Sequence, residues 1–137
     1  MHLRGFSLSN IELAVAGVVY DLHNNFDFIG FSYDVANRSL LLRWKRGAGT
    51  WVPADSPASI EISMLEVSHV SASPRSPDLP YTEDDCLDCV SFVEPNQATE
   101  ECFVTESPIP PETHYVFQFM SGFALRVQAE EAVCKVA

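Results

Sequence analysis

Hydrophobic residues change their spacing along the chain. In residues 9–23, Ile11, Val15, Val18 and Leu22 recur at the three-to-four-residue interval of one helix face. Ser9 and Glu12 have the S-x-x-E spacing of a capping box, in which each end satisfies the other's orphan N–H. The pattern predicts an N-terminal helix over 9–23. Gly17 and three valines are weak helix formers, and the apolar run Leu13 to Tyr20 also fits a buried strand. His23-Asn24-Asn25 ends either element.

Beyond residue 25 the interval shortens to two, the period of strands. Ile29, Phe31 and Tyr33 alternate, as do Leu40, Leu42 and Trp44. Pairing Tyr33 with Leu40, Phe31 with Leu42 and Ile29 with Trp44 places all six on one face, and requires a four-residue loop, Val35 to Arg38. A third strand runs from about Ser59 to His69. Ile60, Ile62 and Met64 share one phase while Leu65, Val67 and His69 share the other. This phase change predicts a bulge near Met64-Leu65, or burial on both faces. Val90 to Val93 and Cys102 to Thr105 are shorter strand candidates. Tyr115, Phe117 and Phe119 alternate, then Phe123, Leu125 and Val127; a three-residue Met120-Ser121-Gly122 loop sets Phe119 against Phe123, Phe117 against Leu125 and Tyr115 against Val127, with Gly122 left-handed. Val133 and Val136 extend that strand beyond a break at Glu130-Glu131.

The connections are stiff. Pro74, Pro77 and Pro80 follow one another at intervals of three, a polyproline II rhythm that also resembles ligands of proline-reading domains. Thr82 to Asp85 suits a short helical turn with acids at its positive end, and Ser107 to Pro111 is a second rigid loop. The predicted fold is α+β, mainly β: one domain over 1–137, with one N-terminal helix and six or seven antiparallel strands in a meander or sandwich.

Charge changes the picture more than composition does. The 137 residues carry a net charge of −11 with 47 % hydrophobic content, a folded globule rather than a disordered acid tail. Ten carboxylates and no Lys or Arg fall between Ser76 and Leu125: Asp78, Glu83, Asp84, Asp85, Asp88, Glu94, Glu100, Glu101, Glu106 and Glu112. Elsewhere nine acids face eight bases. Such a region repels nucleic acid and anionic lipid and attracts basic proteins. Arg43, Lys45 and Arg46 with Trp44 and Trp51 form the only basic-aromatic cluster, too small for nucleic acid but complementary to the acids of a second copy. The candidate binding patch is therefore Asp78, Glu83, Asp84, Asp85, Asp88, Glu94, Glu100 and Glu101, its partner a basic protein or another copy of the chain.

Catalytic chemistry is poorly represented. Cys86-Leu87-Asp88-Cys89 has the C-x-x-C spacing of a zinc grip or redox pair. It lacks a second such pair, so Cys102, Cys134, His69 or His114 would have to complete a metal site. Neighbouring acids raise the thiol pKa rather than lower it. Asp84, Asp85 and Asp88 lack the calcium-loop pattern. His2, His23, His69 and His114 are scattered, with no nucleophile motif and no phosphate-cradling glycine loop. This points away from an enzyme and implies no cofactor, although a metal-supported module or small hydrolase built on Cys86, Cys89 and a histidine stands as an alternative, and a structural, oligomer-forming β-domain as another. The longest strongly apolar run is Leu13 to Tyr20, and the opening Met-His-Leu-Arg-Gly-Phe lacks the apolar core of a secretion signal; a soluble cytoplasmic protein with reduced thiols is expected.

The run Phe31-Ser-Tyr-Asp-Val-Ala-Asn-Arg-Ser-Leu-Leu-Leu-Arg-Trp44 resembles the first hairpin of small, acidic, bacterial β-rich proteins, and Phe119-Met-Ser-Gly-Phe-Ala-Leu-Arg-Val127 resembles their closing hairpin. Some members are similar to immunity proteins that neutralise a toxin. The likeness covers about a fifth of the chain. It implies a binding function and carries over no catalytic residue.

Overall fold

The computed structural model describes residues 1–105 and 108–137; the expectations for Glu106 and for Ser107 at the start of the second loop lie outside them. The chain is almost wholly β, and no helix of seven or more residues occurs among the described residues. The predicted N-terminal helix is therefore replaced by strands. After β1 (His2–Arg4), three short strands form a separate antiparallel sheet: β2 (Phe6–Ser9), β3 (Glu12–Val15) and β4 (Val18–Asp21). Ser9 and Glu12, read as a capping box, face each other across a two-residue turn in which Asn10 is left-handed (φ 56°). Val15 pairs with Val18 across Ala16 (φ 50°) and Gly17 (φ 83°), the two positive φ angles that a type I′ hairpin needs. The helical spacing of Ile11, Val15, Val18 and Leu22 is coincidental: Leu13 and Leu22 are buried, whereas Val18 and Val19 are half exposed.

Among the described residues the main sheet has seven strands. β5 (Phe26–Asp34), β6 (Ser39–Arg46), β7 (Ser59–Ser73), β10 (Ala124–Val136), β9 (His114–Phe119) and β8 (Leu87–Val93) lie in that spatial order, and β1 runs parallel beside β10. The long antiparallel pair β7–β10 is the spine. β5 and β6 attach near its one end, β8 and β9 near the other. The sheet then curls until its edges meet, where Phe28 N–H donates to Asp85 C=O at 2.8 Å. Inside the curl Trp44 packs between Phe28 (5.0 Å between ring centres) and Phe117 (6.2 Å), and Phe28 lies 4.5 Å from Phe119. Leu42, Ile60, Ile62, Val90 and Leu125 fill the same core, each with no exposed surface, a burial that stabilises by about 1.5–3 kcal/mol per side chain. The small N-terminal sheet adds Phe6, Leu8 and Leu13 to that core and joins β8 through Val90 N–H to Asn10 C=O.

The β5–β6 loop spans residues 35–38, with Tyr33 opposite Leu40 and Phe31 opposite Leu42. The expected pairing of Ile29 with Trp44 gives way to Phe28, because a bulge separates Phe28 from Gly30 and turns Ile29 to solvent. Gly30 sits at φ 135°, which favours glycine. In β7 the phase changes at Glu66 (φ 53°), next to the predicted position; Met64 and Val67 are both buried on either side of it. Phe117 faces Leu125 and Tyr115 faces Val127, while Gly122 (φ 86°) makes the turn. No break occurs at Glu130-Glu131, since β1 pairs there and holds β10 extended.

Candidate interaction site

The acidic residues fall into two groups because β8 runs between them. Asp78, Glu83, Asp84 and Asp85 precede the strand and Asp88 lies at its start, whereas Glu94, Glu100 and Glu101 follow its end. Seven extended residues separate the groups by about 20 Å.

The second group borders a loop fastened from beneath. Arg126, only 7 % exposed, projects from β10 onto the outer face of the sheet. Its guanidinium donates to the carbonyls of Glu94 (3.2 Å), Pro95 (3.2 Å) and Gln97 (2.7 Å), and to His114 Nδ1 (2.8 Å). These bonds hold segment 94–99 against the sheet. No carboxylate pairs with this arginine among the described residues. The His69 ring, from β7, lies 4.6 Å from that of His114. Burial, then the Arg126 charge and His69, push His114 down to about 4. Both histidines belong to this anchor.

The first group surrounds a second arginine. Arg75 donates to Asp84 at 2.8 Å, and its other donors go to the carbonyls of Ser76, Leu79 and Pro80. The guanidinium also lies 4.4 Å from the centre of the Tyr81 ring. The proline-rich segment thus wraps around its own arginine, bent by Leu79 N–H to Ser76 C=O, rather than projecting as a polyproline II ligand. The bond from Arg75 holds the Asp84 carboxyl below its ordinary range. Among the described residues Glu83, Asp85 and Asp88 have no such partner, and Asp27 from β5 joins them. Partial burial, then the Asp27 carboxylate, push Asp85 upward, with Lys45 opposing. Carboxylates crowd here beyond what local bases neutralise.

Cys86 sits in the middle of this cluster. Burial first, then Glu83, Asp85, Asp88 and Asp27, raise its pKa, so it is a neutral thiol rather than a nucleophile. Its sulfur lies 3.6 Å from His23 Nδ1, which donates instead to Leu87 C=O. Cys89 turns to the outer face and donates to Gln118 Oε1 at 3.0 Å, while Gln118 Nε2 donates to Cys102 Sγ at 3.1 Å. Cys86 and Cys89 therefore have separate surroundings. On β9, Gln118 beside Cys89 is four residues from His114, about 13 Å along the strand, too far for one ion to bind Cys89 and His114. No group of three His, Cys, Asp or Glu side chains suited to a metal occurs among the described residues.

No protein-family model, curated protein or solved structure matches this chain. The functional reading rests on the chemistry of the surface. No helix of the described residues is long and apolar enough to cross a membrane.

Next to the open acids lies an apolar cleft of about 370 Å³, lined by Phe28, Gly30, Phe31, Phe123, Arg75 and Asp84. Phe31 and Phe123 stack across it, 6.3 Å between centres and 19° between planes. The alternation in the sequence identified Phe31 and Phe123 only as core candidates. Phe31, on the edge strand β5, remains 39 % exposed. Arg75 and Arg126 directly bracket the base-free stretch; both turn inward to hold loops, a role with no signature in local pattern. The basic-aromatic cluster dissolves: Trp44 is fully buried, Trp51 donates to Asn24 C=O, and Arg46 donates to the carbonyls of Ala54 and Ser56.

Proposed function

We propose that this chain is a non-enzymatic binding protein that engages a basic protein partner through the acids around Cys86, with an immunity-type inhibitor acting in the cytoplasm as its most concrete form. One observation carries this reading: Asp27, Glu83, Asp85 and Asp88 converge on one thiol, with Lys45 opposing at Asp85, beside exposed aromatic side chains. Clustered like charges on a surface weaken the fold that bears them, and a cationic partner relieves the repulsion. Long-range attraction then accelerates encounter, while the aromatics set residence time. The outlying Glu94, Glu100 and Glu101 contribute to the field rather than to the contact.

The test is affinity capture from the source cell with the wild-type chain beside an Asp85→Lys/Asp88→Lys variant. A basic protein retained by the first and lost by the second is the expected result. Capture of the same proteins by both would overturn the reading.

A further inference from the structure

The edges of the main sheet are treated unequally. The outer edge of β8 is covered: Val90 N–H donates to Asn10 C=O, and Phe92 and Phe103 exchange two backbone bonds of 2.8 Å. Among the described residues the outer edge of β5 has a backbone partner only where Phe28 N–H reaches Asp85.

The direction of the free backbone groups follows from the register. Arg46 N–H bonds to Ala58 C=O and Val67 N–H to Arg38 C=O, so even-numbered residues of β6 turn their backbone groups to β7. Odd-numbered ones then turn to β5, because an antiparallel ladder alternates. Past the bulge, Gly30, Ser32 and Asp34 pair with Arg43, Leu41 and Ser39, and hydrogen-bond inward. Phe31 and Tyr33 consequently point N–H and C=O outward, and neither has a partner there among the described residues. This stretch contains no Lys, Arg or Pro; the bulge at Phe28–Gly30 and Asp34 guard only its two ends. It carries Phe31 and Tyr33 at 39 % and 37 % exposure instead.

We infer that the free edge of β5 from Gly30 to Asp34 receives an extended basic segment of the partner as an added strand, with an apolar side chain of that segment seated in the cleft against Phe31 and Phe123. The inference deepens the proposed function and rests on it for the sign of the partner's charge. The cleft adjoins the edge, and its volume suits one or two side chains. Backbone pairing supplies affinity without sequence demands; the cleft supplies selection. Charge decides the occupant. Asp34 is at one end of the edge, and Asp27, Asp85 and Asp88 lie towards the other. Arg75, which lines the cleft, has committed its donors to Asp84 and three carbonyls, while the exposed Arg43 stands one strand in, opposite Gly30. A second copy, carrying −11 itself, would be repelled.

The test uses the peptide acetyl-Lys-Val-Lys-Phe-Lys-Val-Lys-amide and a copy with Glu for every Lys. Hydrogen exchange at each amide and calorimetric affinity are measured for the full chain. The lysine peptide is expected to bind and to slow exchange at Phe31 and Tyr33 by about tenfold or more, the signature of new strand bonds. Tyr33→Pro removes an outward donor that the fold does not use, so it is expected to keep its melting temperature and to lose at least about tenfold in affinity. Phe31→Ala empties one wall of the cleft and is expected to weaken binding without altering the sheet. Binding of the lysine peptide that Tyr33→Pro leaves intact but Asp85→Lys/Asp88→Lys abolishes would overturn the inference and leave the acidic surface standing. Equal binding of both peptides, or of neither, would overturn both readings. Dimerisation of the free chain that Tyr33→Pro abolishes would make a second copy the occupant and overturn the choice of partner.

Discussion

The buried Arg126–His114 contact makes stability depend on pH in a calculable way. Nδ1 of His114 accepts from Arg126 Nε, so the ring must be neutral with its proton on Nε2. Burial and the Arg126 charge hold its pKa at about 4, against about 6.5 in an unfolded chain. The folded state thus binds fewer protons than the unfolded one. Its stability is complete above the unfolded pKa and is lost as pH falls from there towards the folded value. Integrated from about pH 7.5 to pH 5, the loss is about 2 kcal/mol, with a ceiling of about 3 kcal/mol at lower pH. His69 is lowered in the same direction and adds to it. Asn in place of His114 keeps an acceptor oxygen near Nδ1 and removes the titration. Urea unfolding across this pH range is expected to show wild type losing about 2 kcal/mol more than His114→Asn. Carboxylates titrate in both and cancel. Parallel pH profiles would refute the argument, showing either that His114 protonates freely in the fold or that Arg126 does not face it.

Other outcomes follow from single positions. Gly122→Val places a branched side chain at φ 86°, with its Cβ 3.3 Å from Ser76 N, whose N–H bonds Ser121 C=O; thermal unfolding is expected to show a loss of about 1–3 kcal/mol or more, and an unchanged midpoint would remove the hairpin register. Leu13→Ala is expected to cost about 2–5 kcal/mol while Val19→Ala costs little, since Leu13 is buried and Val19 is 56 % exposed; equal effects in denaturant titrations would contradict the three-stranded N-terminal sheet. Burial pushes the Cys134 thiol up to about 11, so iodoacetamide at mildly alkaline pH is expected to modify it more slowly than a free cysteine, as peptide mass mapping would show.

The hairpins were legible because their evidence is local. Phe117, Leu125 and Gly122 determine a turn length by alternation alone, and Tyr33, Phe31, Leu40 and Leu42 do the same for the other hairpin. The N-terminal region misled because two tight turns, at Asn10-Ile11 and Ala16-Gly17, reset the strand phase often enough to imitate a 3.6-residue period. Valines at 15, 18 and 19 and the glycine at 17 were the better guide, since all favour a hairpin over a helix. Ile29 was misplaced for a similar reason: a bulge at Gly30 exchanges the faces of Ile29 and Phe28, and only the partner strand reveals it. The accumulation of acids was plain in the sequence, but its division by β8 was not. Nor was the recruitment of Asp27, which comes from a strand fifty-odd residues away and joins the cluster through the curl of the sheet. The free edge of β5 is a property of topology, and strand order is set by long-range packing that no local pattern records.

The proposed function depends most on the acids around Cys86 meeting a cation. The association rate of the captured partner, measured for wild type and for Asp85→Lys/Asp88→Lys at about 20 mM and about 0.5 M salt, tests this directly. Wild type is expected to associate at least about tenfold faster at low salt, and the variant to lose most of that advantage. Equal association rates for the two proteins at low salt would contradict the claim.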